Sequence, residues 1–254
     1  MTTSTSPTSS SNGAAAPVPE LLTVDLGAGA TAVFTTRAGG GSQPPYDGWN
    51  LADHVGDDPS AVAANRAVLA AALGVATVGY PNQVHSALVL PVGPGTGASC
   101  DGLVGGAPGA FGVLAADCVP VVLADAPAGV GAVLHAGRRG LAAGVVANGV
   151  AALVARGADP SRTVAAIGPA ICGRCYEVSP ELRAEVAALL PATWCTTDRG
   201  APGLDLPAGV AAVLAAAGVR TVVDLGLCTR EDPRFYSYRR DGRTGRHAGV
   251  LVLG

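Results

Sequence analysis

Between Val84 and Gly157 the chain alternates short apolar runs with turn residues, and this limits it to a fold built round a buried sheet. VHSALVLPV, GVLAAD, VPVVLAD and GVGAVLH are too short for helices and are bounded by Gly, Pro and Asp, so they read as strands. TAVFTTRAGG, from Thr31 to Gly40, reads as an earlier strand followed by a mobile loop. DDPSAVAANRAVLAAALG reads as a helix, with Asp58 as N-cap, Pro59 at the first helical position and Gly74 past the end. LAAGVVANGVAALVARG reads as one buried helix. SPELRAEVAALL reads as a second, amphipathic helix capped by Ser179, with Glu181 and Arg183 facing water, and LPAGVAAVLAAAG as a third with a glycine stop. TVVDLGLCT and AGVLVLG are the last expected strands, although the first could instead finish a helix hairpin. The sum is one mixed α/β domain over residues 21–254, without internal repeats. Residues 1–20, rich in Ser, Thr, Ala and Pro, offer too few large apolar groups to offset ordering entropy and read as a disordered tail.

Composition narrows the partners. With 49% hydrophobic and 14% charged residues the chain can bury a substantial core, and a formal charge of −3 lacks the basic excess that nucleic-acid or membrane-surface binding needs. A small-molecule partner is therefore expected. No Lys or Arg precedes Arg37 and no apolar run is long enough for a signal peptide or a membrane span, which reads as a cytoplasmic protein. The six cysteines are few for this length, and in that compartment they read as thiols or metal ligands rather than disulfides.

Four histidines are present, and two of them, His85 and His135, sit at ends of expected strands where side chains can converge on one cleft. Cys118 stands at a third such junction, near a proline that interrupts regular ladder pairing. Two histidines and a cysteine with a free fourth position form a recognised catalytic zinc arrangement. The plain alternative is one packed thiol and two unrelated histidines, and the spacing does not choose between them. In HAGRRG, glycines between a strand and a helix expose backbone N–H groups, and Arg138 and Arg139 add bidentate donors suited to phosphate; a solvated basic turn is the alternative. Cys172 and Cys175 form a CxxC, a zinc-ribbon or redox pattern, but no second CxxC completes a ribbon, so a metal is not expected there. YSYRRDGRTGRHAG is either an exposed turn or the rim of an anionic-substrate cleft.

NLADHVGDDPSAVAANR, NQVH, DGLV, GVLAADCVPVVLAD, VLHAGRRGLAAGV, AAIGPAICGRCYEV and LCTREDPRFYSYRRDGRTGRHAGVLVL follow one another in the order of the YfiH-like laccase-domain family, which residues 31–254 resemble. Members of that family are described as multicopper polyphenol oxidoreductases, purine nucleoside phosphorylases or peptidoglycan editing factors. The resemblance implies a single α/β domain with a zinc site made of His85, Cys118 and His135. It also implies phosphorolysis of adenosine, inosine, guanosine or methylthioadenosine to free base and ribose 1-phosphate, with adenosine deamination as a second reaction. Zinc lowers the pKa of a bound water toward neutrality, as attack on a purine C6 requires.

On this reading Arg138 and Arg139 position phosphate, Arg139 acting directly in catalysis, while Asp117 and Glu177 are the carboxylates placed to carry protons. Asn50 and Arg66 are expected on the sugar and phosphate side. The chain departs from the family in having Arg138 where a Trp is common and Cys172 where a small residue is common. Two other activities compete. Copper could replace zinc for phenol oxidation, since His and Cys bind it strongly, but four histidines are few for a multicopper cluster. Alternatively, the same zinc site could hydrolyse an amide in misincorporated muropeptides.

Overall fold

The computed structural model describes residues 19–93 and 95–254, so the expected tail lies outside the described residues up to residue 18. Glu20, assigned to that tail from composition, belongs to the fold instead. Its carbonyl accepts the Thr36 N–H at 3.3 Å and its carboxylate pairs with Arg234 at 3.0 Å.

The chain begins with an antiparallel pair, β1 (Leu21–Asp25) and β2 (Ala30–Thr35). The loop after β2 is tied down: Asn65 accepts the Gly41 N–H and donates to the Ser42 hydroxyl, and Arg37 pairs with Asp47 at 2.7 Å. Helix α1 (Pro59–Ala72) starts at Asp58, whose carboxylate accepts the Ser60 N–H, and is followed by Gly74 at φ +67°. The central strands are β3 (Val89–Pro91), β4 (Gly102–Gly106), β5 (Gly109–Ala115), β6 (Val119–Asp125) and β7 (Val130–Ala136). Only the end of VHSALVLPV is strand, because the N–H groups of Val84, His85 and Ser86 are directed to the Asp101 carboxylate rather than to a ladder.

The single helix expected after His135 is two, α2 (Arg138–Ala142) and α3 (Val145–Val154), broken where Gly144 takes φ +98°. There follow β8 (Val164–Ile167), α4 (Pro180–Leu189) capped by Ser179, the hairpin β9 (Trp194–Thr196) and β10 (Pro202–Leu204), and α5 (Leu206–Ala216). TVVDLGLCT supplies a strand, β11 (Thr221–Asp224), and the chain closes with α6 (Tyr238–Asp241) and β12 (His247–Leu253). Arg183 does not simply face water: its guanidinium lies 3.8 Å from the centre of the Trp194 ring.

Besides the small β9–β10 sheet, two larger sheets form, an antiparallel one in the order β1-β2-β12-β5 and a mixed one in the order β11-β8-β6-β7-β4-β3. All seven residues of β6 and all seven of β7 are buried because both faces of their sheet are covered. One face, with Val122, Ala124 and Val133, packs on Phe34, Phe111 and Leu251 of the other sheet. The opposite face, with Val121, Leu123 and Leu134, packs on Val146 and Val150 of α3 and Val210 and Leu214 of α5. Beyond the four-stranded sheet, Trp49, Leu51 and Leu69 of the α1 layer cover Val33, Leu114 and Val250. The domain is thus layered helix, sheet, sheet, helices. Among the described residues no helix is long and apolar enough to cross a membrane.

His247 lies at the start of β12, buried, with Nε2 3.3 Å from the Pro169 carbonyl, its ring against Phe235 and Nδ1 without a partner among the described residues. Burial pulls its pKa down to about 4 from an ordinary 6.5, an effect the Pro169 carbonyl opposes and Arg246 reinforces. The unfolded chain therefore takes up this proton first, and the stability that neutral His247 contributes at pH 7 is lost as pH falls from about 6.5 to 4. The amount is roughly 3 kcal/mol. Urea unfolding across that interval should show His247→Gln losing less stability than the parent chain; equal losses would show that His247 is not responsible.

Candidate active site

Strand register assembles the site. β6 and β7 pair with Val119 opposite Ala136 and Pro120 opposite His135, so Cys118 is set beside the C-terminal end of β7. On the other side of β7, Gly102 of β4 lies opposite Leu134, which brings Asp101 alongside His135; the His135 N–H donates to the Asp101 carbonyl at 2.7 Å. His85 arrives from the loop before β3. Its Nε2 is 3.7 Å from the Cys118 Sγ, and its ring meets that of His135 edge-on with centroids 4.8 Å apart. One ligand atom from each of the three lies within 4.8 Å of the others.

Gly137 makes this convergence sterically feasible. A Cβ there would stand 2.6 Å from the His85 Cδ2 and 2.9 Å from the Cys118 Sγ, so a side chain would displace the set. Two non-glycine residues of the site have left-handed backbone, His85 at φ +60° and Asp117 at φ +96°. Such conformations persist where surrounding contacts over-determine them. For His85 those contacts are the three successive N–H groups on Asp101. For Asp117 they are its carboxylate bonds to the Thr229 hydroxyl at 2.7 Å and the Arg239 N–H at 2.6 Å.

Asp101 is wholly buried and accepts from the N–H groups of Val84, His85 and Ser86, from the Ser86 hydroxyl at 2.8 Å and from His135 Nδ1 at 2.8 Å. Burial alone would raise its pKa, but these donors outweigh that and hold it well below the usual carboxylate range. Burial likewise opposes ionisation of Cys118, yet His135 and His85 bring the thiol down to about 6. His135, which burial would push down, is raised to about 9 by Cys118 and Asp101. In this charge pattern the sulfur favours thiolate, and one imidazole is oriented through its far nitrogen by a carboxylate. Two imidazoles and a thiolate suit zinc, and a carboxylate behind a histidine is the usual support for such a ligand.

The set opens into a cavity of about 540 Å³ also lined by His54, Gln83, Tyr176, Tyr238, Arg239 and Arg246. Burial raises the pKa of Tyr176 against the opposing charge of Arg138, so its hydroxyl keeps its proton at neutral pH. The C-terminal YSYRRDGRTGRHAG stretch is thus a cavity rim, contributing Tyr238, Arg239 and Arg246. Asn50 fixes Arg246 from behind by accepting its N–H at 2.8 Å, while Arg246 Nη1 is held by the Thr244 and Gly245 carbonyls.

Several residues expected at the substrate lie elsewhere. Asn50 is fully buried and spends its amide on Ala52, Asp57 and the Arg246 backbone, so it supports the cavity without lining it. Arg66 donates to the Leu51 carbonyl, pairs with Asp53 and lines a neighbouring hollow that meets the cavity at His54 and Leu114. Glu177 is exposed in a separate arginine-rich groove, its carbonyl accepting from Arg239. Asp117 does line the cavity, but both its oxygens are engaged, which suits it to holding Arg239 in place rather than shuttling protons. Arg138 is half-buried at the start of α2 beside Tyr176, and Arg139 is exposed; neither lines the cavity.

Sequence reasoning missed Asp101 and left Arg239, Arg246, Tyr176 and Gln83 unassigned. The available signal for Asp101 was its place immediately before DGLV's strand glycine, where an acid otherwise has no reason to be buried.

Residues 31–254 match the family described as Multi-copper polyphenol oxidoreductase laccase. A protein of Streptomyces coelicolor named purine nucleoside phosphorylase is 52% identical over 87% of this chain and 94% of its own length. Among solved structures, the Neisseria meningitidis protein NMB0706 superposes with a TM-score of 0.84 at 35% identity, covering 92% of this chain and 98% of that one. The Bacillus licheniformis hypothetical protein YfiH gives 0.81 at 31% identity over 89% and 93%. With the fold and the ordered sequence blocks agreeing, the chain belongs to the laccase-like multi-copper polyphenol oxidoreductase family, the YfiH-like group.

Proposed function

We propose that this protein is a zinc-dependent purine nucleoside phosphorylase, acting on adenosine, inosine, guanosine or methylthioadenosine, and that it also deaminates adenosine. The observation that carries the reading is a single cavity in which His85, Cys118 and His135 face two arginines, Arg239 and Arg246, and two tyrosines, Tyr176 and Tyr238. The name carried by the Streptomyces coelicolor relative supports it. Two histidines and one cysteine are donors for one ion, so the multicopper part of the family description has no matching ligand set in this cavity.

In phosphorolysis a phosphate oxygen bonds to the anomeric carbon while the carbon–nitrogen bond breaks and its electron pair leaves with the purine. When bound at His85, Cys118 and His135, zinc supplies a Lewis acid with a position left for substrate. The chain's own groups do the rest. Arg246 and Arg239 hold the anion at a fixed place, Asp117 and Asn50 keep those two backbones from drifting, and the protonated Tyr176 hydroxyl donates to the polar edge of the base. Arg138 and Arg139, outside the cavity lining, act at most on the approach of phosphate.

Two measurements test this. Metal analysis should show Cys118→Ala binding one zinc fewer than the parent chain, and Asp101→Asn should weaken zinc binding at this site by about 10–100-fold, since it removes the carboxylate that orients His135. Equal zinc content in the parent and Cys118→Ala would remove the metal from the reading.

The second is kinetic. A charge-assisted contact is worth about 1.5–3 kcal/mol, so Arg246→Ala should raise the KM for phosphate by roughly tenfold or more. Adenosine deamination, which uses water in place of phosphate, should fall much less, and the exposed, distant Arg156→Ala should change neither. Absence of phosphate-dependent base release by the parent chain would reject phosphorolysis and bring muropeptide amide hydrolysis forward.

A further inference from the structure

Beyond the cavity wall, the structure assembles a second set of metal-ligand side chains from two separate segments. Cys172 and Cys175 lie on a tight turn in which the Cys175 N–H returns to the Cys172 carbonyl at 3.0 Å. Cys228 and Glu231 lie on a second turn of the same construction, the Glu231 N–H returning to the Cys228 carbonyl at 3.2 Å. The two turns are locked together by a parallel bridge between Ala170 and Cys228, with the Ala170 N–H on the Leu227 carbonyl and the Thr229 N–H on the Ala170 carbonyl. As a result one ligand atom from each of Cys172, Cys175, Cys228 and Glu231 lies within 4.8 Å of all the others.

From these two facing turns we infer a second metal site, in which Cys172, Cys175, Cys228 and Glu231 bind one zinc ion in a structural role. The partner that the CxxC lacks in the sequence is a CxxE: a carboxylate takes the place of the fourth thiol. Zinc accepts such an oxygen alongside sulfur, and closed four-ligand sites are structural ones. Four donors about 2.3 Å from one zinc stand about 3.8 Å apart, so the set needs to contract by only about 1 Å. The backbone already supports a sulfur as a metal site does, since the Cys172 N–H points to the Cys228 Sγ at 3.5 Å. Binding forms three sulfur–zinc bonds and one oxygen–zinc bond and sends three thiol protons to solvent. The resulting excess negative charge faces Arg174, whose Nη2 is 3.1 Å from the Glu231 carboxylate, and Arg230 of the adjoining groove.

Such an ion would staple together two segments that shape the cavity. Tyr176 follows Cys175 directly and lines the cavity, and Thr229 follows Cys228 and donates to Asp117.

Cobalt, which occupies zinc sites and reports thiolate ligands by a sulfur-to-metal charge-transfer band, tests the inference on the full reduced chain. In Cys118→Ser, which has no thiol in the first site, the band should appear and saturate with cobalt at this cluster, and zinc should bleach it. The band should be lost in Cys118→Ser/Cys172→Ser/Cys228→Ser with the far-ultraviolet circular dichroism unchanged. Should that variant fail to fold, Glu231→Gln in the Cys118→Ser background, a change at an exposed side chain, should keep the band and weaken cobalt binding by about tenfold or more. No band in Cys118→Ser, a band that survives loss of Cys172 and Cys228, unchanged affinity in Glu231→Gln, or a disulfide within the trio that forms despite saturating zinc would each overturn the site.

Discussion

The Asp101 carboxylate is the group on which the geometry of the candidate active site depends. An ionised carboxylate removed entirely from water is costly unless its oxygens are hydrogen-bonded, and here five donors converge on it. Three of them are consecutive backbone N–H groups, which forces the loop into a concave turn and explains why His85, an L-residue, sits at positive φ. A fourth is His135 Nδ1, which leaves Nε2 as the nitrogen free to face the cavity. One buried charge thus sets the path of the loop bearing the first histidine and the ring orientation of the second.

The sandwich of two sheets explains why these groups meet at an edge open to solvent. β6 and β7 are buried on both faces over their whole length, so functional side chains can only be offered where the strands end. Cys118 precedes one strand, His135 stands near the end of the other, and antiparallel pairing puts those ends together. The helix that follows must leave at once to cover the far face, and Gly137 gives it room between His85 and Cys118.

Much of this was legible in the chain. Helix α1 is bounded by Asp58, Pro59 and Gly74 because each residue supplies what a helix end lacks. The buried strands follow from their apolar runs, and the ordered blocks of sequence single out His85, Cys118 and His135, whose side chains converge in the structure. Other features were not legible, for physical reasons. Val84–Leu88 has the composition of a strand, but the N–H groups of Val84, His85 and Ser86 are claimed by the Asp101 carboxylate, and no local pattern shows that. Gly144 breaks a helix that periodicity alone would continue. Asn50 has a side chain suited to a sugar and Glu177 one suited to carrying a proton, but the first is consumed inside the fold and the second lines a different groove.

The arginines show the same distinction in electrostatic form. Arg138 and Arg139 are adjacent in sequence, flanked by glycines and close to His135, which gives the stretch the local pattern of an anion site. In the structure, however, Arg138 is half-buried and Arg139 exposed at the start of α2, and neither lines the cavity that holds His85, Cys118 and His135. Arg239 and Arg246 are separated along the chain, yet α6 and the turn into β12 bring both to one wall. Their backbones are pinned by Asp117 and Asn50, and their guanidiniums by the carbonyls of Glu177, Thr244 and Gly245. An arginine held this way loses little further freedom when an anion arrives, which lowers the entropy cost of binding.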